Sequence, residues 1–600
     1  MESPLPSNES LIAYSQAIGW KDLEHYKRAF NQAVKDLAND PATQNTLPLD
    51  TLSKRTGITV QAAFDPTDLD SANVLFMEVD GHRAVLGSYV NQRYRRGKSV
   101  MGALVPYNLN PSVHHLNLAE TANPATRMQA LGAELELGLL HRDGSGPSIE
   151  EVEHYIGRYS VHARRLGITP QVDHEACQYQ IETHVAPSVG YHRTRHSLDG
   201  IMQALVATSE ETGLITAILS SYPTRSDFRM SPDPKVQSAV DLMLALNGEF
   251  PEFGQRLADA NARYHVTPPA HHVEMFRNQG CHIHLDIAGR SEALGLFTFY
   301  TMLRSASAAA SAAVLKGGPF VNGTCDAELL CTREYLRHTT ITGNYITIPT
   351  SPHYSDDGFD TYANLLNSPR VNAVARAHLI DDNNGSPVSA MHNPLGRIRP
   401  DLGNKDRICT IESTGMPTNI SAARMAAVLA DFEFSHLLME HYYRMYGTDL
   451  EPMMANAEMW AMMGPLPGND YQEMHRRSDL EGTDFTLRVA TGVEMSLPEF
   501  YERKRRFMHR ALADVPNVTA RSIDDVYTSL GRMLDPLGGK RAQTVEQYIA
   551  DPKLRSTGNW GQILRDAYIE EGGVVGAHHP DAVLRVVTRV HDALRSRYLT

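Results

Sequence analysis

The sequence predicts an α+β fold, and three observations indicate it. Between about residues 127 and 434, segments with the two-residue period of a strand alternate with longer segments that have the 3.6-residue period of a helix. Two of the helical segments stop at glycine, at Gly317 and at Gly447. The chain has 600 residues, enough for a large hydrophobic core and for more than one domain.

The elements can be placed in order from periodicity and from turn and cap residues. An Asp-Gly pair at residues 80–81 predicts the turn of a hairpin, and Ser197 is predicted to cap a helix. Four consecutive basic residues, 503–506, are expected on a surface turn, as is a basic run at residues 93–98. The predicted elements are helices within 1–60, a hairpin within 74–90, a strand at 133–140, a helix at 149–166, a strand at 177–185, a helix at 197–213, a strand at 280–286, helices at 291–316 and 421–446, and helices throughout 447–600.

Composition narrows the classes of function. The chain has 56 Lys and Arg residues against 70 Asp and Glu residues, a net charge of −14. It therefore lacks a general positive field, and neither nucleic acid nor an anionic membrane is expected as a partner. The most apolar long stretch, residues 293–315, is interrupted by Arg304 and several Ser and Thr residues, which favours a buried helix over a membrane span.

Cysteine usage and the first residues predict a cytoplasmic protein. Five cysteines leave one without a partner, and no CxxC or similar zinc-binding spacing occurs. Residues 1–10 lack the basic and then apolar pattern of a secretory signal. A reducing compartment is the simplest expectation.

Two glutamates alternate with apolar residues in the strand predicted at 133–140. Glu134 and Glu136 lie within the sequence Leu-Gly-Ala-Glu-Leu-Glu-Leu-Gly. Because alternate residues of a strand point to the same face, both carboxylates project together, away from the leucines. Such a pair predicts either a divalent metal between the carboxylates or a solvated edge strand.

Two further strands carry polar faces. In one of them, alternate positions carry Gln178, Gln180, Glu182 and His184, and Glu175 comes just before it. His282 and His284 share a face of the other. Histidine can supply one ligand in an otherwise oxygen-rich metal site, although a solvated strand and a structural histidine pair remain the alternatives.

A cluster of arginines follows. Arg397, Arg399 and Arg407 precede the strand that contains Glu412, and Arg333 follows the helix that ends at Gly317. Arginine presents a planar fork of donors that suits phosphate and carboxylate groups.

The order of these blocks resembles that of the carboxylate–amine ligases of the glutamate–cysteine ligase branch, within the glutamine synthetase superfamily. The resemblance covers residues 129–446 and rests on Gly-Ala-Glu-Leu-Glu-Leu at 132–137, Gln-Ile-Glu-Thr at 180–183, Gly-Cys-His-Ile-His-Leu at 280–285, Gly-Pro-Phe-Val-Asn-Gly at 318–323 and Thr-Ile-Glu at 410–412. It implies a glutamine synthetase-like antiparallel sheet, curved into a partial barrel and flanked by helices. The implied domains are a segment of unknown role at 1–125, a catalytic domain at 126–446 and a helical C-terminal region at 447–600.

The resemblance also implies roles for individual residues. By this resemblance the metal on the substrate side is held by Glu136, Glu175 and Glu182. The metal that bridges the ATP phosphates is held by Glu134, His282 and Glu412.

Phosphate contacts are implied for a histidine and several arginines. His284 resembles the histidine that touches the nucleotide phosphates, and the arginines at 333, 397 and 399 resemble those that neutralise the transferred phosphoryl group or hold the acceptor carboxylate. The family often has an arginine two residues after the late glutamate, where this chain has Thr414. Arg407 or Arg399 is the candidate to replace it.

The resemblance implies an ATP-dependent ligase. The candidate ligands predict that it uses Mg²⁺ or Mn²⁺, because hard carboxylate oxygens favour these ions over zinc. The resemblance implies an amide bond formed through an acyl phosphate from an amino-acid carboxylate, the γ-carboxylate of glutamate, and an amine such as cysteine. The expected partners are therefore small molecules, and a homo-oligomer is left open.

Two other functions remain open for this sequence, and a third is disfavoured. A catalytically inactive regulator that binds nucleotide or metal is consistent with Thr414 and with the unmatched ends. A guanidino phosphotransferase would share the fold, as the related phosphagen kinases do. Metal-dependent hydrolysis is disfavoured, because no HExxH motif occurs, and no GxGxxG or GxxxxGK[ST] motif suggests a dinucleotide or a P-loop.

Overall fold

The computed structural model describes a large part of the central and C-terminal segments and four strands of the N-terminal segment. The predicted helices within residues 1–60, the basic run at 93–98 and the first part of the helix predicted at 291–316 lie outside the described residues. The described residues are 60–62, 73–79, 82–92, 101–105, 131–188, 190–224, 229–231, 251–266, 278–286, 305–337, 397–399, 410–446, 451–464, 466, 468–515, 518–536, 538–554 and 556–599.

The described strands form two sheets and two short hairpins, with antiparallel pairing throughout. They are β1 (Val60–Ala62), β2 (Asn73–Val79), β3 (His82–Gln92), β4 (Met101–Val105), β5 (Leu131–Leu140), β6 (Val172–His174), β7 (Gln180–Ser188), β8 (Ile215–Ala217), β9 (Gly280–Asp286), β10 (Phe320–Val321), β11 (Thr324–Cys325), β12 (Arg397–Arg399), β13 (Thr410–Pro417), β14 (Thr486–Arg488) and β15 (Glu494–Ser496).

The larger sheet is the centre of the fold. Its strands lie in the order β12-β13-β9-β5-β7-β6, and β8 pairs with the end of β5. Within the described residues the sheet stays open, with β12 and β6 at its edges, and does not close into a barrel. A mixed α+β fold built on an antiparallel sheet is therefore confirmed. The predicted hairpin is also present, as β2 and β3 of the smaller sheet.

Helices account for most of the remaining described chain. Among them, none combines the length and the apolar character required to span a bilayer. They are α1 (Ile149–Arg165), α2 (Tyr191–Thr212), α3 (Pro251–Arg263), α4 (Ser305–Val314), α5 (Arg333–Arg337), α6 (Ala422–Tyr446), α7 (Glu451–Met454), α8 (Ala457–Met463), α9 (Gly468–Glu481), α10 (Leu497–Ala511), α11 (Ala520–Leu534), α12 (Val545–Ile549), α13 (Trp560–Glu570) and α14 (Pro580–Tyr598).

One face of β5 anchors the sheet to the helices. Leu135, Leu137 and Leu139 are fully buried in the main hydrophobic core, together with Tyr155 of α1 and Ile201 of α2. Burial of each leucine contributes about 1.5–3 kcal/mol. Burial of this face also fixes which residues lie on the opposite face, because the intervening residues of β5 must then point away from this core.

Two predicted boundaries in this region were wrong. Helix α2 begins at Tyr191 after Gly190, so Ser197 lies in its second turn and does not cap it. Tyr191, Thr194 and Leu198 are all buried at helical spacing, which extends the apolar face toward the N-terminus. Strand β7 begins three residues later than predicted, because Gln180 donates to the carbonyl of Cys177 and closes a turn there.

The C-terminal region also differs from the prediction. Residues 486–488 and 494–496 form a hairpin between helices. The basic residues 503–506 belong to helix α10, and Lys504 is fully buried on the face that carries Phe500 and Phe507. A run of basic residues suggests a solvated surface, but a helix turns successive side chains about 100° apart, so one of four faces the core.

Lys504 is satisfied by buried partners from two other helices. Its ammonium contacts Asp431 Oδ1 of α6 at 2.6 Å and donates to Ser435 Oγ at 2.9 Å and to Ser307 Oγ of α4 at 3.0 Å. Tyr527 of α11 donates to the same Asp431 oxygen at 2.7 Å. Four helices thus meet at one ion pair.

Removal of one charge from this pair should destabilise the protein strongly. We expect Asp431→Asn to lower the free energy of unfolding by about 3–5 kcal/mol, because the lysine charge is left buried without its counter-ion. Glu499→Gln on α10, the helix of Lys504, breaks an exposed pair with Arg503 and should cost less than about 1 kcal/mol. Denaturant unfolding of both variants tests this, and equal losses would contradict it.

Candidate metal and substrate site

The register of three strands collects acidic and histidine side chains on the face of the sheet opposite the leucines. Glu134 of β5 lies directly opposite His184 on β7 and His282 on β9. Glu136 lies opposite Glu182 on β7. Directly opposed residues of antiparallel strands share a face, so pairing alone brings these five side chains together.

Glu175 completes a first group of three carboxylates. It comes from the loop between β6 and β7, where its backbone N–H donates to the carbonyl of Gln180 at 3.2 Å. One carboxylate oxygen from each of Glu136, Glu175 and Glu182 lies within 4.8 Å of the others. Three acids at this separation repel one another unless protons or cations intervene.

Burial and mutual repulsion favour the protonated form of two of these acids. Burial, and then the charge of Glu136, raises the pKa of Glu175 to about 8. Burial, and then the charges of Glu134 and Glu175, raises the pKa of Glu182 well above its usual value. A bound cation would offset both effects.

A second group adjoins the first and shares Glu182 with it. The ligand atoms of Glu134, Glu182 and His282 lie within 4.8 Å of one another. His282 Nδ1 is 3.4 Å from Glu134 Oε2, and its Nε2 is 3.4 Å from Glu136 Oε1, so the imidazole spans both glutamates of β5. His284 Nε2 is 3.2 Å from the same oxygen, Glu134 Oε2.

The donor set fits hard divalent cations. Four carboxylates supply oxygen, and a single imidazole enters only the second group, as expected for Mg²⁺ or Mn²⁺ and not for a structural zinc site. The first group has the same members as the substrate-side set implied by the family resemblance. The second group contains Glu134 and His282 of the other implied set, together with Glu182, while the side chain of the third implied ligand, Glu412, lies outside the described residues. Glu182 lies in both groups, so the two ion positions would share a ligand.

Sequence reasoning left two members of this face without a role. His184 Nε2 is 3.2 Å from Asp173 Oδ2 of β6, and its Nδ1 is 3.9 Å from Glu134 Oε1. His184 was recognised as part of the polar face of its strand, but the pairing of β6 with β7, which brings Asp173 to it, is a tertiary feature. Thr418 was also missed. Its hydroxyl donates to the carbonyls of Glu136, at 3.2 Å, and of Gly280.

Gly280 and Arg333 form one wall of the site. The Gly280 backbone N–H donates to Glu136 Oε2. A Cβ at position 280 would lie 2.7 Å from Arg333 Nη2, 3.0 Å from Glu136 Oε2 and 3.1 Å from His282 Nε2, so only glycine allows all three to approach. Arg333 is 3% exposed and is therefore a nearly dry cation beside the carboxylates.

The structure describes the remaining predicted residues only in part. The backbone of Glu412 lies opposite His284 and Arg397, and Arg399 lies opposite Thr410. The side chains of Glu412, Arg397 and Arg399 lie outside the described residues, and so does Arg407 as a whole. Their roles stay predictions.

The position of Thr414 can be stated from the backbone. The pairing of β13 with β9 shifts between Ser413 and Met416, so residues 414–415 together occupy the place opposite His282. This irregularity falls beside the second group of ligands, where bulges commonly redirect a strand.

The metal-free protein should lose stability as the pH rises, and Glu175 should account for part of the loss. Its folded-state pKa of about 8 lies above the usual 4.5, so the stabilising contribution is complete below pH 4.5 and is lost as the pH rises through about 8. As the pH rises from about 5 to 8, the thermal unfolding midpoint of Glu175→Gln should therefore fall less than that of the wild type. Parallel curves for the two proteins would refute the raised pKa, and Glu153→Gln on exposed α1 surface is the control.

Comparisons with known proteins leave the family unassigned. No protein-family model and no curated protein matches the chain. Among solved structures it is similar to glutamate–cysteine ligase from Francisella tularensis in complex with AMP, at 12% identity and a TM-score of 0.38, over 79% of this chain and 90% of that one. A likeness this distant does not assign an activity, so the family resemblance stays a prediction of the sequence motifs.

Proposed function

We propose that the chain is an ATP-dependent ligase that joins an amino-acid carboxylate to an amine with the help of Mg²⁺ or Mn²⁺. The observation that carries the proposal is the pair of adjoining ligand groups that share Glu182, with the buried guanidinium of Arg333 beside them. The order of the sequence blocks, which resembles that of glutamate–cysteine ligases, supports glutamate as the carboxylate donor and cysteine as a candidate amine.

This arrangement suits phosphoryl transfer. The terminal phosphoryl group of ATP passes to a carboxylate oxygen, which gives ADP and an acyl phosphate. The amine nitrogen then forms a bond to the acyl carbon, phosphate leaves with the pair of electrons of the broken C–O bond, and the nitrogen releases a proton. Such chemistry requires positioning and charge neutralisation more than covalent work by the protein.

The residues of the chain would divide these tasks. The first group of ligands would hold one cation and the second group another, and bound cations would supply the charge that neutralises the phosphate oxygens. Arg333 presents a fixed, weakly hydrated cation toward the same space. The carboxylates of the site can also accept the proton that the amine releases.

Covalent catalysis by a thiol is not supported. Cys281 lies between Gly280 and His282 but points into the core, and burial raises the pKa of its thiol to about 12. Burial also raises the pKa of Cys325 to about 12, and all four cysteines in the described part of the chain are buried. A thiolate nucleophile would need the opposite shift.

Phosphate release tests the function directly. The protein, ATP and Mg²⁺ are incubated with glutamate and a panel of amines, and products are identified by mass. Release that needs both an amino acid and an amine, with the condensed mass, supports the ligase. A phosphorylated acceptor would indicate a guanidino kinase, and nucleotide binding without hydrolysis for any pair would indicate an inactive regulator. The cytoplasmic location and the small-molecule partners are part of the same proposal.

Glu136→Gln should abolish turnover without unfolding the protein. Glutamine keeps the shape and removes a charge of the first ligand group, which also lies 3.4 Å from His282 of the second group. We therefore expect apparent Mg²⁺ affinity to fall at least about tenfold, which is the lower end of the cost of losing even an outer partner of a metal ligand. Initial rates over a Mg²⁺ titration, with circular dichroism for the fold, measure this. Glu153→Gln should behave like the wild type, and near-normal activity of Glu136→Gln would remove Glu136 from the site.

A further inference from the structure

A residue of the C-terminal region reaches the chain segment that carries Arg333. Asp479 of α9 contacts Lys316 Nζ through its carboxylate. Its backbone carbonyl accepts hydrogen bonds from the N–H groups of Leu330, at 2.6 Å, and Cys331, at 3.3 Å. One residue therefore holds both the lysine that follows α4 and the two residues that lead into Arg333.

The ion pair is dry. The side chains of Lys316 and Asp479 are 2% and 5% exposed. A buried ion pair adds little net stability compared with apolar side chains of the same volume, because desolvation of the two charges offsets their attraction. A contribution to placement is therefore a better reason for this pair than a contribution to the free energy of folding.

The remaining contacts of this segment lead to the site. Thr332 Oγ1 is 2.9 Å from Ser221 Oγ, which fixes the loop from the other side. Arg333 Nη1 donates to Glu334 Oε1 at 2.7 Å, and Arg337 Nη1 donates to the same oxygen at 3.2 Å. With its backbone and Nη1 held in this way, Arg333 directs Nη2 at Gly280, beside Glu136.

We propose that Asp479, together with Lys316, positions Arg333 against the carboxylate groups, so that the C-terminal helical region is a working part of the site. Asp479 is a positioning residue, since it acts through the loop that precedes Arg333. The inference rests on the proposed function for the use made of Arg333, but the placement itself can be measured without turnover.

A double-mutant cycle on Mn²⁺ affinity tests the placement. The metal-free, full-length protein is titrated with Mn²⁺, and electron paramagnetic resonance measures the free Mn²⁺. Arg333→Met removes a positive charge next to the ligands and should tighten Mn²⁺ binding. Asp479→Asn removes the charge that ties α9 to Lys316, so the backbone carbonyl of residue 479, which bonds the loop, is no longer fixed in place. We expect the variant to change Mn²⁺ affinity by roughly threefold or more in the wild-type background and not at all in Arg333→Met.

A second variant protects the test against misfolding. Lys316→Met/Asp479→Leu replaces the pair with apolar side chains of similar volume, which commonly preserves stability. The directional ion pair that fixes the backbone carbonyl of residue 479 beside the loop is lost. It should show the same coupling to Arg333→Met as Asp479→Asn does. If turnover is observed, both variants should lower kcat more than they raise KM.

Asp431→Asn is the matched control. It breaks a buried lysine–aspartate pair of the same kind, next to Ser307 at the opposite end of α4. A general loss of stability would affect both aspartate variants, but only changes at residue 479 should couple to Arg333. An Asp431→Asn variant that couples equally would overturn the proposal.

The remaining outcomes separate this inference from the proposed function. Additive effects of Asp479→Asn and Arg333→Met on Mn²⁺ affinity would overturn the positioning role. A coupled cycle supports it even if no pair of substrates gives phosphate release, a result that would reject the ligase alone. Failure of the wild type to bind Mn²⁺ would overturn both.

Discussion

The pairing of β5 with its two neighbours is the constraint on which the fold and the candidate site both depend. The leucines of β5 lie in the core, and the glutamates between them lie on the other face, opposite residues of β7 and β9. A slip of one residue would bury Glu134 and Glu136 among apolar side chains and expose the leucines. Because the core excludes that slip, hydrophobic burial on one face sets the spacing of the charges on the other.

The same pairing creates an electrostatic problem that the site must solve. Carboxylates from β5, β7 and the loop at Glu175 come within a few ångströms of one another, and burial and repulsion raise the pKa values of Glu175 and Glu182. The guanidinium of Arg333 offsets part of this charge, and the imidazole of His282 lies 3.4 Å from both Glu134 and Glu136. Glu182 belongs to both ligand groups, so a cation bound at one group would also change the charge at the other.

Sequence reasoning reached the parts of this arrangement that depend on local periodicity. Alternation alone places Glu134 with Glu136 and His282 with His284, and the helix at 149–166 follows from its own apolar period. It could not reveal that Glu182 lies in both groups, because that depends on the register between separate strands. Sequence reasoning also placed Lys504 on the surface. A lysine inside a basic run gives no local sign that its partners, Asp431 and Ser435, lie in the core.

Helix α4 explains why buried ion pairs occur where they do. It consists of small residues that are almost completely buried on every side, so it has no contrast between an apolar and a polar face to fix its rotation or its axial position. Lys504 bonds to Ser307 near one end, and Lys316, just beyond the other end, contacts Asp479. Polar contacts are directional where alanine packing is not, so they hold the helix in one position. The position of α4 fixes the start of the segment that leads to Arg333. The C-terminal region therefore helps to determine where the guanidinium of Arg333 lies beside the carboxylates.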